Sequence, residues 1–366
     1  MTDPVRNEYA PDFVSPPGAT LAEILGERGM TQADLAERMG RPKKTISEIV
    51  TGKAAITPET ALQLERVLGI SATFWNARES NYRESLARAE ENAQLAKYTL
   101  WVRSFPLSSM TKVYGVPQSR DPVDRVREVL GFFGVASVEQ WKTMVDAQQT
   151  RLRAPNGLRA KTPALAAWLR QGEILGQQKS CVSYNPEAFR SALAEVRAQT
   201  RERPEVFSTH VQDLCARSGV AVAFVPEISG VHVSGAARWL SSTKALIQLS
   251  LRYRTDDQLW FSFFHEAAHL LLHGKRQVFV DVDSSETPEE READRFAADL
   301  LIPPERYAAF RSEGNFSKAS ITRFAKAIGI APGIVVGRLQ HDRLLAFSQC
   351  NELKRRLEWT AEDKAS

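Results

Sequence analysis

Cysteine is nearly missing. Cys181, Cys215 and Cys350 are the whole complement in 366 residues, scattered and without a CxxC pair. That excludes a disulfide framework and a cysteine-based zinc finger. Long apolar runs are missing too, and nothing approaches the roughly 20 residues of a membrane span. The opening residues, MTDPVRNEYAPDF, place acids and prolines where a signal peptide needs an apolar core. Together these absences predict a cytoplasmic protein with no membrane partner. Net charge is slight: 48 basic against 44 acidic side chains leave +4. A nucleic-acid partner is permitted, but the case for one must come from a local patch. No internal repeat or low-complexity tract is found.

What is present is enough chain for two or three domains. The pattern is mainly α. Residues 1–18 are Pro-rich and polar and read as a flexible tail. Residues 19–94 are densely helical, and 95–205 continue as a helical connector with apolar spacing near 3.6 and no readable chemistry. Residues 206–347 form the third segment. There VAVAFV, AARWL and ALIQLSL predict a small, mainly antiparallel sheet, followed by two helices split by an Asp- and Ser-rich loop. Residues 348–366 are a C-terminal tail.

In TQADLAERMGRPKKTISEIVTGK, Thr31 is placed to N-cap a helix ending at Met39, Gly40 supplies a sharp turn, Pro42 opens a second helix and Gly52 ends it. Gln32, Ala36, Gly40, Ile46 and Ile49 have the spacing of a helix-turn-helix. The second helix of such a pair offers its outer, N-terminal residues to the major groove. Here these are Lys43, Lys44, Thr45, Ser47 and Glu48, with Gln32 placed for a phosphate. A helical hairpin with a solvated charged face is the plain alternative. The stretch from Pro17 to Tyr82 resembles a repressor-type (XRE-type) helix-turn-helix domain and, through its tail GKAAITPETALQLERVLGISATFWNARESNY, the plasmid-maintenance antidote group of antitoxins. The resemblance implies a five-helix, lambda-repressor-like domain that binds a double-stranded operator as a homodimer.

The second signal is WFSFFHEAAHLLLHG, residues 260–274. It reads as a buried helix, yet holds groups that are costly to bury unpaired. His265-Glu266-Ala267-Ala268-His269 is HExxH. Histidines four apart share a helix face and can converge on one ion. Glu266 stands beside them as a general base toward a water that the ion acidifies. A core helix with hydrogen-bonded histidines is the alternative, and it leaves the carboxylate unexplained.

A third protein ligand is needed. Six residues beyond His269 stands Lys275, so a following carboxylate is sought in TPEEREAD. At about 100° per residue, Glu290 and Asp294 flank the apolar face of that helix, while Glu292 falls on its polar side. Glu290 is the candidate ligand, with Glu289 as fallback and Asp294 as the acceptor behind a ligand histidine. Thr287 to Glu290 also reads as a capping box, which would give Glu290 a merely local role. Two readings of His273 stay open: a cleft residue that binds substrate or stabilises an oxyanion, or a satisfied polar group at the helix end. His210, His232 and His341 read as structural or exposed.

FFHEAAHLLLHG followed by EREADRFAADLLIPPE resembles the ImmA/IrrE metallopeptidases, over roughly residues 219–345. The usual HELGH stands here as HEAAH. The resemblance implies an α+β, gluzincin-like domain with ligands His265, His269 and Glu290, base Glu266, and zinc (manganese as the alternative) as cofactor. It also implies limited cleavage of a protein substrate such as a repressor or toxin, in stress response, toxin–antitoxin or mobile-element control. The expectation is a transcriptional regulator fused to a zinc-dependent endopeptidase. The rival is an antitoxin-like repressor whose peptidase-like domain only binds a partner or senses. The sheet ahead of the HExxH helix is expected to offer a free edge to an extended substrate.

Overall fold

The structure is a computed structural model and describes residues 15–151, 162–274, 279–280 and 287–359. Most of the expected tail 1–18, the loop 281–286 and residues 360–366 fall outside the described residues. The chain divides into two compact units, Met1–Lys97 and Tyr98–Ser366.

The first unit is five helices: α1 (Pro17–Glu27), α2 (Gln32–Met39), α3 (Lys43–Val50), α4 (Pro58–Leu68) and α5 (Ala72–Leu95). Thr31 caps α2 in a reciprocal box with Asp34. Gly40 then turns the chain with φ +64°, which glycine adopts without strain. Pro42 sits one place earlier than expected, in the N-cap position, so α3 begins at Lys43. Leu21, Leu35, Ile46, Leu64 and Trp75 are fully buried between the helices. α1 crosses α3 so closely that a Cβ at Gly18 would overlap the carbonyls of Ile49 and Val50.

The second unit begins with α6 (Leu107–Tyr114), α7 (Pro122–Phe133), α8 (Val138–Arg151), α9 (Thr162–Gln178), α10 (Pro186–Gln199) and α11 (Pro204–Ala216). Strands β1 (Val220–Phe224), β2 (Gly235–Trp239) and β3 (Ala245–Leu249) follow, then α12 (Asp256–Leu272), β4 (Phe279–Val280), α13 (Pro288–Leu301), α14 (Pro304–Glu313), α15 (Lys318–Ile328) and α16 (Pro332–His341). The strand order is β1-β3-β2-β4. β2 runs antiparallel to β3 and to β4, as expected, but β1 lies parallel to β3, so the sheet is mixed. The short β2–β3 turn makes that pair antiparallel. The longer 225–234 connection carries the chain from β1 past the slot that β3 fills. Alternation of apolar residues sets which face is buried and is silent on strand direction. β4 covers the edge of β2 at Ala236 and Ala237, so that edge is not free there. Among the described residues, no single helix is long and apolar enough to cross a membrane.

The period-2 alternation assigns each face of the sheet. Val220, Val222, Ala237, Ala245, Ile247 and Leu249 belong to the core that holds α12. The opposite face carries Gln248 and Arg238, and α9 covers it. Gln248 donates to the carbonyl of Trp168 at 2.7 Å, Arg238 donates to that of Leu169, and Trp168 donates to Val225 O at 3.1 Å. Gly172 has no Cβ because one would overlap Gln248. α9 thus fixes the sheet from behind while α12 lies in front.

The start of α12 is fixed from the C-terminal side. Asp256 N donates to Arg355 O, and Asp256 Oδ1 accepts from Arg355 N, each at 3.0 Å. Lys354 pairs with Asp257 at 2.7 Å, and Trp359 donates to Glu227 at 3.1 Å. Burial pushes the Asp256 carboxyl up to about 6, with Asp257 adding to the rise and the Arg355 contacts opposing it. The unfolded value is near 3.9. Between those values the folded state keeps a proton that the unfolded state has lost, so stability falls as pH rises from about 4 to 6 and stays reduced above. Asp256→Asn should remove this slope. In chemical denaturation it gains roughly 1–3 kcal/mol at pH 7.5 relative to its difference from wild type at pH 4. Equal differences at the two pH values would contradict this.

Candidate metal centre

α12 is apolar nearly all round, and such a helix must be buried on all sides. Leu259, Trp260, Phe263, Phe264, Ala267 and Leu270 fill the core between sheet and neighbouring helices. A narrow polar strip runs through it: Ser262, His265, Glu266 and His269, each less than 5% exposed. α13 packs along α12 and closes that strip.

Three polar atoms converge there. His265 Nε2 and His269 Nε2 are 3.0 Å apart, and Glu290 Oε2 lies 2.9 Å from the first and 3.4 Å from the second. Bonds of about 2.0–2.1 Å to a tetrahedral ion would set its ligand atoms about 3.3 Å apart, so these spacings fit. Among the described residues, His265, His269 and Glu290 form the group with metal-binding geometry.

The charge states suit a cation as well. Burial alone would raise the Glu290 carboxyl, but hydrogen bonds from His265 and His269 overcome it and hold the group down at about 2. Burial pushes His269 below its usual value against the pull of Glu290, so its ring is neutral at pH 7. A neutral imidazole and an ionised carboxylate are the forms that donate lone pairs.

The other predicted residues are found as follows. Asp294 Oδ1 is 2.9 Å from His265 Nδ1, behind the ring. Thr287 caps α13 by accepting from Glu290 N at 3.3 Å, while the Glu290 carboxylate turns to the histidines. Glu289 is not among the converging groups. Glu266 is fully buried, one residue along α12 from His265. His273 is the C-cap of α12, its Nδ1 3.0 Å from His269 Nδ1. His210, His232 and His341 are exposed. In the first unit Lys43 and Lys44 are exposed at the start of α3, and Gln32, Thr45, Ser47 and Glu48 are half-buried, while Ile46 and Ile49 face inward. Lys44 pairs loosely with Glu48 at 3.8 Å.

Two residues escaped the sequence reading. Glu292, assigned to the polar side of α13, reaches His273 Nε2 at 3.3 Å. Gly235, at the start of β2, lies against Glu266: a Cβ there would stand 2.8 Å from Glu266 Cγ and Oε1. A glycine inside a strand pattern signals such a close approach, and SGAARW carries it.

Comparison with known proteins separates the two units. A helix-turn-helix family model matches residues 21–75, and the model of a peptidase family described as IrrE N-terminal-like domain matches residues 229–339. The HTH-type transcriptional regulator YddM of Escherichia coli (strain K12) is 35% identical over 81 residues, 22% of this chain and 84% of that protein. Virulence-associated protein A of Dichelobacter nodosus is 38% identical over 68 residues, 18% of this chain and 67% of that protein. Among solved structures, an addiction module antidote protein of the HigA family from Coxiella burnetii aligns at 29% identity over 23% of this chain and 92% of its own, with a TM-score of 0.22.

Proposed function

We propose, for a chain that belongs to the helix-turn-helix transcriptional regulators and carries an IrrE N-terminal-like peptidase-family domain, that it is a DNA-binding regulator whose second unit is a zinc-dependent endopeptidase. One observation carries the catalytic half: three ligand-type atoms at tetrahedral spacing, with a buried glutamate on the same helix. A pure binding or sensing domain has no use for Glu266.

His265, His269 and Glu290 would hold the ion, zinc by its preference for nitrogen and carboxylate ligands, with manganese as the alternative. Bound there, a divalent cation supplies Lewis acidity toward a water and a peptide carbonyl. Glu266 accepts the proton of the attacking water and returns it to the departing amide nitrogen. Asp294 holds the His265 ring by its far nitrogen. The substrate is a protein partner such as a repressor or toxin. The test is to add the purified protein to extract of its own cells and map new protein N-termini, with and without a chelator. Chelator-sensitive termini are expected; their absence would favour the binding rival.

On the regulatory half, α3 enters the major groove of an operator, and a homodimer reads two half-sites about 34 Å apart. Lys43→Ala with Lys44→Ala should weaken binding to DNA upstream of the protein's own gene. It should also reduce the slope of log affinity against log salt by about 1–2. Fluorescence anisotropy over a salt series measures both, and an unchanged slope would move the phosphate contacts elsewhere.

A further inference from the structure

We infer that His273 is a positioning residue for His269, a role that rests on the metal reading above. His269 Nε2 faces His265 Nε2 at 3.0 Å and Glu290 Oε2 at 3.4 Å, so it is the nitrogen that meets an ion and must then carry no proton. A neutral His269 keeps its proton on Nδ1. That nitrogen lies 3.0 Å from His273 Nδ1. Two ring nitrogens can share only one proton, so His273 Nδ1 is the acceptor. The proton of a neutral His273 therefore sits on Nε2, which lies 3.3 Å from the Glu292 carboxylate. One assignment satisfies every link: Glu292 accepts from His273, and His273 accepts from His269.

The helix explains the arrangement. His273 is one turn beyond His269, on the same face. There α12 ends: His273 is extended (φ −114°, ψ 163°), although its N–H still donates to His269 O at 3.1 Å. Its side chain is 7% exposed beside a 61% exposed Glu292 side chain. Asp294 backs His265 directly, whereas an imidazole and a carboxylate in series back His269. With an ion bound, both rings are thereby held in the tautomer that leaves Nε2 bare.

The test is zinc affinity, read by competition with a chromophoric chelator, with the unfolding midpoint of each metal-free protein measured alongside. His273→Ala should lose about 10–100-fold in affinity, the range for removing such an outer partner. His273→Asn places an amide oxygen where Nδ1 accepts and should recover most of that loss, which a purely structural role at the helix end would not produce. Long-range nitrogen–proton spectra of the zinc-loaded protein should show His269 protonated at Nδ1 and His273 at Nε2. Unchanged affinity in His273→Ala, an Asn variant no better than Ala, or a bare His269 Nδ1 would overturn the assignment. Failure of the wild type itself to take zinc would overturn the metal reading and this role with it.

Discussion

Glu266→Gln should abolish cleavage and leave metal binding intact. The amide keeps the shape of the side chain, so it fits the same buried space against Gly235. It cannot accept the proton of an attacking water, and a lost general base costs about 10²–10⁴ in rate. The three converging atoms belong to other residues, so metal content should match wild type. Gly235→Ala approaches the same carboxylate from the strand. Its Cβ would crowd Glu266 Cγ and Oε1 at 2.8 Å, and one of the two must move. It should slow cleavage at unchanged metal content. Measured against a substrate found by terminus mapping, with metal counted by mass spectrometry, cleavage by Glu266→Gln at the wild-type rate would remove the general-base role.

How much of this was legible depended on whether the signal was local. α2 ends at Met39 because Gly40 follows it, and both can be read from a dozen residues. A 100° rotation per residue suffices to bring Glu290 and Asp294 to the side of α13 that meets α12. Glu292 does lie on the exposed side of α13, but the same wheel ignores reach and so is silent on its contact with His273. A long glutamate can lean back over the preceding turn, here onto a histidine that lies beyond the end of another helix. The parallel β1–β3 pair was out of reach because strand direction is set by where connections cross, not by composition. α9 carried no readable chemistry. Its role comes from Gln248 and Arg238, more than sixty residues further on, which donate to its backbone.

His265→Ala should cost the second unit its stabilisation by zinc. A ligand at 100 times its dissociation constant stabilises the folded state by about 2.7 kcal/mol, which for a unit of this size is a rise in melting temperature of about 5 °C. The wild type should show that rise when zinc replaces chelator, and the variant should show none. The loss is more than one bond of three. Glu290 is held ionised, down at about 2, by hydrogen bonds from His265 and His269 against the cost of its burial. With one donor gone, the carboxylate of the metal-free centre is less well held in the ionised form that takes up a cation. Asp294→Ala leaves all three converging atoms in place and should lose only about 10–100-fold in affinity. His265→Ala and Glu266→Gln alter neighbouring residues on one helix, yet they should fail in different ways. The first loses metal and cleavage together; the second loses cleavage alone. An equal zinc-induced rise in wild type and His265→Ala would mean the ion binds elsewhere, and the convergence of His265, His269 and Glu290 would then be only a hydrogen-bonded core.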